Sequence, residues 1–161
     1  MTTNEQIEIK RNENMPTNKK YKLLKNDTIQ IGARTLYRIQ ALRNFSNVHK
    51  GDKGGYIEKE SNLSHEGYAW VSGDAQVSGT ARIFEDAHVF GDARVFGNAL
   101  VSGNARVSGD ANVFGNAQVF GHAKVSIGAD ITVDIDFEIP RIKLDNMDKV
   151  NVLMKVLKKL E

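Results

Sequence analysis

The chain of 161 residues contains no cysteine, only two prolines and a single tryptophan. Without cysteine it can form neither disulfide bonds nor thiolate metal sites, which leaves carboxylates and the four histidines as possible ligands, so no metal site is predicted. Long apolar runs are also absent, and no membrane-spanning helix or membrane partner is predicted. The N-terminal residues lack the apolar segment of a signal peptide, so we expect a cytoplasmic protein.

A strong charge of one sign is missing as well, since the net charge is +2. Basic residues exceed acidic ones in residues 1–60, acidic residues exceed basic ones in 61–133, and the two balance in 134–161. The basic excess is scattered and forms no cluster, so nucleic acid is not expected as a partner.

What the chain does have is a six-residue repeat, Ala-x-Val-x-Gly-Asp/Asn, from residue 69 onward. Alanine occupies every sixth position: Ala69, Ala75, Ala81, Ala87, Ala93, Ala99, Ala105, Ala111, Ala117, Ala123 and Ala129. A β-branched residue follows two positions after each: Val71, Val77, Ile83, Val89, Val95, Val101, Val107, Val113, Val119, Val125 and Ile131. Positions six apart do not share a face of an α-helix, so the period excludes a helix.

Each hexad predicts a short strand and a turn. In Ala-x-Val-x the alanine and valine point to one side and the two x residues to the other, and Gly-Asp/Asn supplies the turn. Such a short strand cannot bury its apolar side alone, so successive strands must stack in parallel. The result is a solenoid in which neighbouring coils lie about 4.8 Å apart. The small and bulky inward residues predict a narrow filled core without an internal ligand cavity.

The hexads VSGDAQ, VFGDAR, VFGNAL, VSGNAR and VFGNAQ resemble those of the bacterial hexapeptide-repeat transferase family. The resemblance implies an all-β, left-handed parallel β-helix of triangular section, with three hexads per coil and a trimeric assembly. Eleven hexads then make between three and four coils. The segment LYRIQALRNFSNVHKGDKGGYIEKESNLSHEGYAWVSGDA (36–75) resembles the lead-in of a prophage subgroup, described as acyltransferases or polymer-forming proteins.

Both ends of the solenoid are expected to be covered, which defines the domain organisation. Residues 1–18 are polar and predicted disordered, and 19–62 form a β-rich cap with a hairpin in TIQIGARTLYRIQAL. The solenoid spans 63–133, and Leu63 and Ile57 continue the alanine register backward, so irregular coils precede Ala69. Residues 134–161 hold a last strand ending at Pro140 and an amphipathic C-terminal α-helix, which either docks as a cap or forms a coiled coil.

An 18-residue coil sorts the outward residues into three faces. Face 1 carries Trp70, His88, Arg106 and Lys124, flanked by Ser72, Phe90, Ser108 and Ser126. Face 2 carries Gln76, Arg94, Asn112 and Asp130 beside Ser78, Phe96 and Phe114. Face 3 carries Arg82, Leu100 and Gln118 beside Phe84, Ser102 and Phe120.

Five of the seven phenylalanines therefore point away from the core, and exposed aromatic rows commonly mark an interface. The alternative is an aromatic ladder that only stabilises neighbouring coils. The predicted binding residues are Trp70, Phe84, Phe90, Phe96, Arg106, Phe114, Phe120 and Lys124.

These patterns and resemblances lead to two alternative hypotheses about function. The first is a non-catalytic oligomeric scaffold without a cofactor, most simply a trimer, which binds a host protein; the prophage resemblance suggests an inhibitor of a bacterial defence system such as an anti-CRISPR. The second, implied by the transferase resemblance, is an acyl-coenzyme A dependent acyltransferase. His88 is then the candidate general base, while His122 replaces a turn residue and His65 lies in the lead-in. The hexads lack the protruding loop that carries catalytic residues in those enzymes, which favours the scaffold.

Overall fold

The computed structural model describes residues 18–126, 128–132 and 143–144. The predicted disordered tail, apart from residue 18, lies outside this part of the chain. Most of the strand predicted to end at Pro140 also lies outside it, as does the predicted C-terminal helix apart from Lys143–Leu144, which form a strand.

The described part of the chain opens with two long strands and one of intermediate length, followed by a single turn of 3-10 helix. These are β1 (Tyr21–Ile31), β2 (Arg34–Ala41), β3 (Lys53–Ile57) and the helix Glu60–Asn62. The hexads then contribute strands of two residues each: β4 (Trp70–Val71), β5 (Gln76–Val77), β6 (Arg82–Ile83), β7 (His88–Val89), β8 (Arg94–Val95), β9 (Leu100–Val101), β10 (Arg106–Val107), β11 (Asn112–Val113), β12 (Gln118–Val119), β13 (Lys124–Val125) and β14 (Asp130–Ile131). The last strand among the described residues is β15 (Lys143–Leu144).

Neighbouring coils pair in parallel with a register of 18 residues. His88 pairs with Trp70 on one side and with Arg106 on the other. Within the residues that the structure describes, the strands form three sheets, in the orders β4-β7-β10-β13-β15, β1-β2-β3-β5-β8-β11-β14 and β6-β9-β12. These sheets contain the residues of faces 1, 2 and 3, so the predicted parallel solenoid with three hexads per coil is confirmed.

The alanines and β-branched residues of the repeat fill the interior. All eleven alanines and all eleven β-branched residues are buried, from Ala69 through Ile131. The inward side chains alternate between small and bulky, which suits a narrow core filled by side chains. In the regular coils, contacts with other molecules are therefore left to the outward residues and to the residues at the corners.

Glycine allows the sharp corner between two faces. Gly91 has a φ of 73°, and a Cβ there would lie 3.0 Å from the backbone nitrogen of Gly109 in the next coil. Both the left-handed conformation and the close approach of the coils thus favour glycine. Glu85 takes this corner position with a φ of 58°, as the one non-glycine residue with a positive φ among the hexad residues that the structure describes.

The predicted N-terminal hairpin is confirmed and is longer than the alternating pattern indicated. β1 pairs antiparallel with β2, and β2 pairs antiparallel with β3. β3 then pairs in parallel with β5, so the hairpin extends face 2 beyond the first coil. The register of β1 shifts between Leu24 and Thr28, and this bulge breaks the alternation that would have predicted a strand from Tyr21.

The solenoid begins before Ala69, as expected, but the predicted register of its first coil is wrong. Ile57 pairs with Val77 and Leu63 bridges to Ile83, so both occupy the valine position and not the alanine position. The separation is 20 residues in each case, which makes the first coil two residues longer than the regular coils. The two extra residues lie in the turn between Leu63 and Ala69. Counting backward in sixes from Ala69 therefore assigns Leu63 and Ile57 to the wrong position of the repeat.

Buried polar side chains close this irregular coil. The Lys20 ammonium is fully buried and donates to the backbone carbonyl oxygen of Ala69 at 2.7 Å, and to those of Glu66 and Gly67 at 3.4 Å. The Tyr21 hydroxyl donates to the carbonyl oxygen of Leu63 at 2.7 Å. A first coil has no preceding coil to supply these donors, and the cap supplies them instead.

Candidate functional site

The three predicted faces are present, and their outward residues form straight rows. On face 1, Arg106 pairs with His88 and with Lys124. On face 2, Asn112 pairs with Arg94 and with Asp130. Since each row repeats every coil, any surface site on the solenoid combines residues 18 apart in the sequence.

The five repeat phenylalanines lie outside the buried core, as predicted. Phe84, Phe90, Phe114 and Phe120 are half-buried, and Phe96 is 37% exposed. Each follows an inward β-branched residue, so the alternation of the strand directs its ring outward.

Face 2 carries two of the three large apolar side chains that are exposed among the described residues, Ile31 and Phe96, and the third is Tyr68. The rings of Phe96 and Phe114 stack with centroids 5.0 Å apart and planes 2° apart. Beside them Ile31, at the tip of the hairpin, is 44% exposed. Together with Leu36 and Arg94, Ile31 and Phe96 line a groove of about 400 Å³, which we call the face 2 groove. Sequence reasoning missed Ile31, because only the pairing of β3 with β5 brings the hairpin onto this face.

Face 1 carries a polar groove of about 370 Å³ around His88, which we call the face 1 groove. Its lining residues are Ser46, Tyr68, Asp86, His88, Asn104, Arg106, His122 and Lys124. The groove joins the outward row of face 1 to the corner row Asp86, Asn104 and His122. It therefore combines two imidazoles with two cationic side chains and one carboxylate.

The environment of His88 favours the neutral imidazole. Burial lowers the pKa of His88, the positive charge of Arg106 lowers it further, and the carboxylate of Asp86 acts in the opposite direction. A neutral imidazole can accept a proton, and the Arg106 and Lys124 side chains can bind an anion. The candidate base and two candidate binding residues thus share one groove.

The prediction that Trp70 is an exposed binding residue is wrong. Its side chain is only 4% exposed, and its ring lies edge-on to Phe45, with centroids 5.3 Å apart, and to Tyr21, with centroids 6.4 Å apart. Face 1 begins at Trp70, and the cap covers that first coil. The outward strand position was predicted correctly, but the covering segment cannot be derived from the repeat.

The other histidines differ in their surroundings. His65 stacks on Tyr21 with ring centroids 4.3 Å apart, and its Nδ1 accepts the backbone N–H of Lys20 at 3.1 Å, so it stabilises the cap. His49 is exposed beside Asp52. His122 lies with His88 in the face 1 groove, which the sequence indicated only through the 18-residue spacing from Asn104.

Face 3 carries a third groove, of about 450 Å³, which we call the face 3 groove. Phe84 and Phe120 lie at its two ends, Leu100 and Ser102 line it in the coil between them, and Gln118 lines it in the coil of Phe120. Glu85 also contributes to the lining, and its carboxylate accepts the backbone N–H of Gly103 at 2.5 Å.

Among the described residues, no group of three or more His, Asp or Glu side chains is placed to hold a metal ion. No helix in the described part of the chain has the length and apolar character needed to cross a membrane.

Comparison with known proteins identifies the repeat. Residues 93–109 match the family model described as "YdcK Beta solenoid repeat". No curated protein matches the chain. The matched residues cover β8 to β10, one coil of the observed solenoid. The repeat match and the fold agree that this is a protein built from β-solenoid repeats.

Proposed function

We propose that the chain is a non-catalytic scaffold that assembles with further copies of itself through face 2 and offers its remaining faces to a protein partner. The observation that carries the proposal is the apolar surface of face 2. There the stacked Phe96 and Phe114 rings lie in one sheet face with the exposed Ile31 side chain. Apolar patches on a flat surface commonly mark contacts between proteins.

The charges of face 2 fit a second copy of the same chain. Arg94 and Asp130 are exposed, and they lie one coil to either side of Asn112. In a dimer with its twofold axis through Asn112, Arg94 of one copy lies opposite Asp130 of the other. A row that is complementary to itself in this way suits an interface in which both copies use the same surface.

Size-exclusion chromatography with light scattering tests this assembly. We expect an oligomer for the wild-type chain, dissociation in the variants Phe96→Asp and Arg94→Asp, and recovery in the double variant Arg94→Asp/Asp130→Arg. Phe90→Asp on face 1 is the matched control and should leave the mass unchanged. A monomeric wild-type chain contradicts the proposal, and so does a trimer that neither face 2 variant affects. Such a trimer would agree instead with the arrangement that the hexapeptide-repeat resemblance implies.

A more specific proposal concerns the identity of the partner protein. The resemblance of residues 36–75 to prophage proteins supports a component of a bacterial defence system as the partner protein. Restored phage infection in a strain that expresses both the defence system and the chain would support it. Undiminished defence at matched expression would contradict it.

A second candidate function, acyl transfer from acyl-coenzyme A, is favoured by the face 1 groove. The three residues line one groove, in which His88 would accept a proton from a hydroxyl or amine and Arg106 and Lys124 would bind phosphate groups. Calorimetry with acetyl-coenzyme A should then detect binding that Arg106→Ala weakens, while Arg94→Ala on face 2 leaves it unchanged. The absence of binding at millimolar acetyl-coenzyme A would remove this candidate.

A further inference from the structure

The outward aromatic row of face 3 has a gap of one coil. Ile83 pairs with Val101, and Val101 pairs with Val119, so the residues that follow them, Phe84, Ser102 and Phe120, occupy equivalent positions in three successive coils. On face 2 the equivalent residues Phe96 and Phe114 lie in adjacent coils and stack. Face 3 therefore has the two outer rings of a three-ring stack, with serine in the place of the middle one.

The width of this gap fits one planar ring. Coils are about 4.8 Å apart, so the Phe84 and Phe120 positions are separated by about 9.6 Å. A ring midway between them would lie about 4.8 Å from each, close to the 5.0 Å between the centroids of Phe96 and Phe114. The face 3 groove, with its volume of about 450 Å³, occupies this gap.

The floor of the groove favours a ring with polar edges. Ser102 lies between the two phenylalanines, and Gln118 lines the same groove. A purely hydrocarbon ring would cover the serine hydroxyl without offering it a hydrogen bond, which costs free energy. A heteroaromatic ring can bond with Ser102 and Gln118 through its edge while Leu100 and the two phenylalanines contact its apolar surface.

A positive charge lies near one end of the groove. The guanidinium carbon of Arg82, an exposed residue, lies 5.7 Å from the centroid of the Phe84 ring. Glu85, the acidic residue of the lining, already accepts the backbone N–H of Gly103. Arg82 can therefore interact with a phosphate attached to a ring that enters the gap.

We propose that the face 3 groove binds a purine nucleotide, with its base stacked between Phe84 and Phe120. The proposal is independent of self-assembly through face 2. Stacking on both sides accounts for most of the expected affinity, because each base-aromatic contact contributes to binding whatever the identity of the base. The Ser102 and Gln118 side chains would orient the base, and Arg82 would interact with its phosphate.

Titration with adenosine monophosphate and guanosine monophosphate, followed by NMR or calorimetry, tests the proposal. We expect saturable binding by the wild-type chain and about tenfold weaker binding after Phe120→Ala, which removes one stacking surface. Ser102→Phe should abolish binding, because it supplies the missing ring and fills the gap. Ser108→Phe is the matched control: it places the same ring beside Phe90 on face 1 and should leave binding unchanged.

Several results would overturn the proposal. These are the absence of saturable binding of both nucleotides, equal binding by the Ser102→Phe variant, and equal binding of ribose 5-phosphate, which lacks the base. A change of oligomeric mass in Ser102→Phe without nucleotide binding by the wild-type chain would assign the gap to an aromatic side chain of another copy. Thermal unfolding of each variant tests whether the fold is retained. Phe84→Ala provides a second test of binding if Ser102→Phe does not fold.

Discussion

The carboxylate of Glu85 accepts a hydrogen bond from the backbone N–H of Gly103, one coil further along the solenoid, at 2.5 Å. Glu85 occupies the corner position that glycine holds in the adjacent coils, with a φ of 58° against 65° for Gly67 and Gly103. A side chain in this left-handed conformation is strained, and here it reaches a backbone donor that glycine could not.

Substitution of Glu85 separates the strain from the hydrogen bond. Glu85→Ala keeps a Cβ at positive φ and loses the acceptor, so we expect the free energy of unfolding to fall by about 1–2 kcal/mol. Glu85→Gly loses the same acceptor but relieves the strain, and should be about 1 kcal/mol more stable than Glu85→Ala. Urea unfolding measures both. Equal stability of the two variants would show that the corner conformation carries no such cost.

The inward and outward positions should differ sharply in their tolerance of substitution. Val107 is fully buried, and Val107→Asp would place an unpaired charge in the core, which should cost several kcal/mol, about 3 or more. Arg94 is exposed, and Arg94→Ala should change stability by less than about 0.5 kcal/mol. Thermal unfolding of the two variants, both tested at a concentration where the chain is monomeric, provides the comparison. Similar losses would contradict the observed orientation of the strands.

The regular coils could be predicted from the sequence because a single physical rule, alternation within a strand of each hexad, fixes every inward side chain. That rule predicted correctly that Val107 is buried and that Phe96 points outward. It failed where the coil length changes, since two extra residues separate Leu63 from Ala69 and put Leu63 in the valine register. It also could not show that Trp70 is covered, because that burial depends on Tyr21 and Phe45, which belong to no repeat.

The candidate site was predicted only in part, for the same reason. The 18-residue spacing placed His88, Arg106 and Lys124 in one row. Tyr68, which completes the face 1 groove, comes from the irregular first coil, where no spacing rule applies.

Lys20 should be essential to the N-terminal cap. Lys20→Met leaves the carbonyl oxygens of Glu66, Gly67 and Ala69 without the ammonium donor, so we expect a loss of about 1–3 kcal/mol from the free energy of unfolding. Lys22→Met is the matched control, because Lys22 lies two residues further along, in β1, and is exposed, and it should be nearly neutral. A neutral Lys20→Met variant would mean that water satisfies those carbonyl groups.

The same lysine should make stability depend on pH in the alkaline range. Burial, and to a smaller extent the charge of Arg43, lowers the pKa of Lys20 to about 8 from the ordinary value of 10.5. Between these values the unfolded chain binds more protons than the folded one, so the Lys20 contribution to stability rises as pH increases from about 8 to 10.5. The difference in unfolding free energy between the wild-type chain and Lys20→Met should therefore grow over this window. A constant difference would contradict the lowered pKa.

His88 provides a final test, through the acidic range. Its pKa lies below the ordinary value of 6.5 because it is partly buried and because Arg106 carries a positive charge beside it. The unfolded chain therefore takes up this proton first as pH falls, and the stability that His88 contributes above pH 6.5 decreases below it. Arg106→Ala should raise the pKa of His88, as measured by NMR titration of the imidazole, whereas Arg94→Ala on face 2 should leave it unchanged. An equal effect of both substitutions would show that Arg106 does not act on His88 across the face 1 groove, and would remove the electrostatic basis for assigning His88 the role of a neutral base.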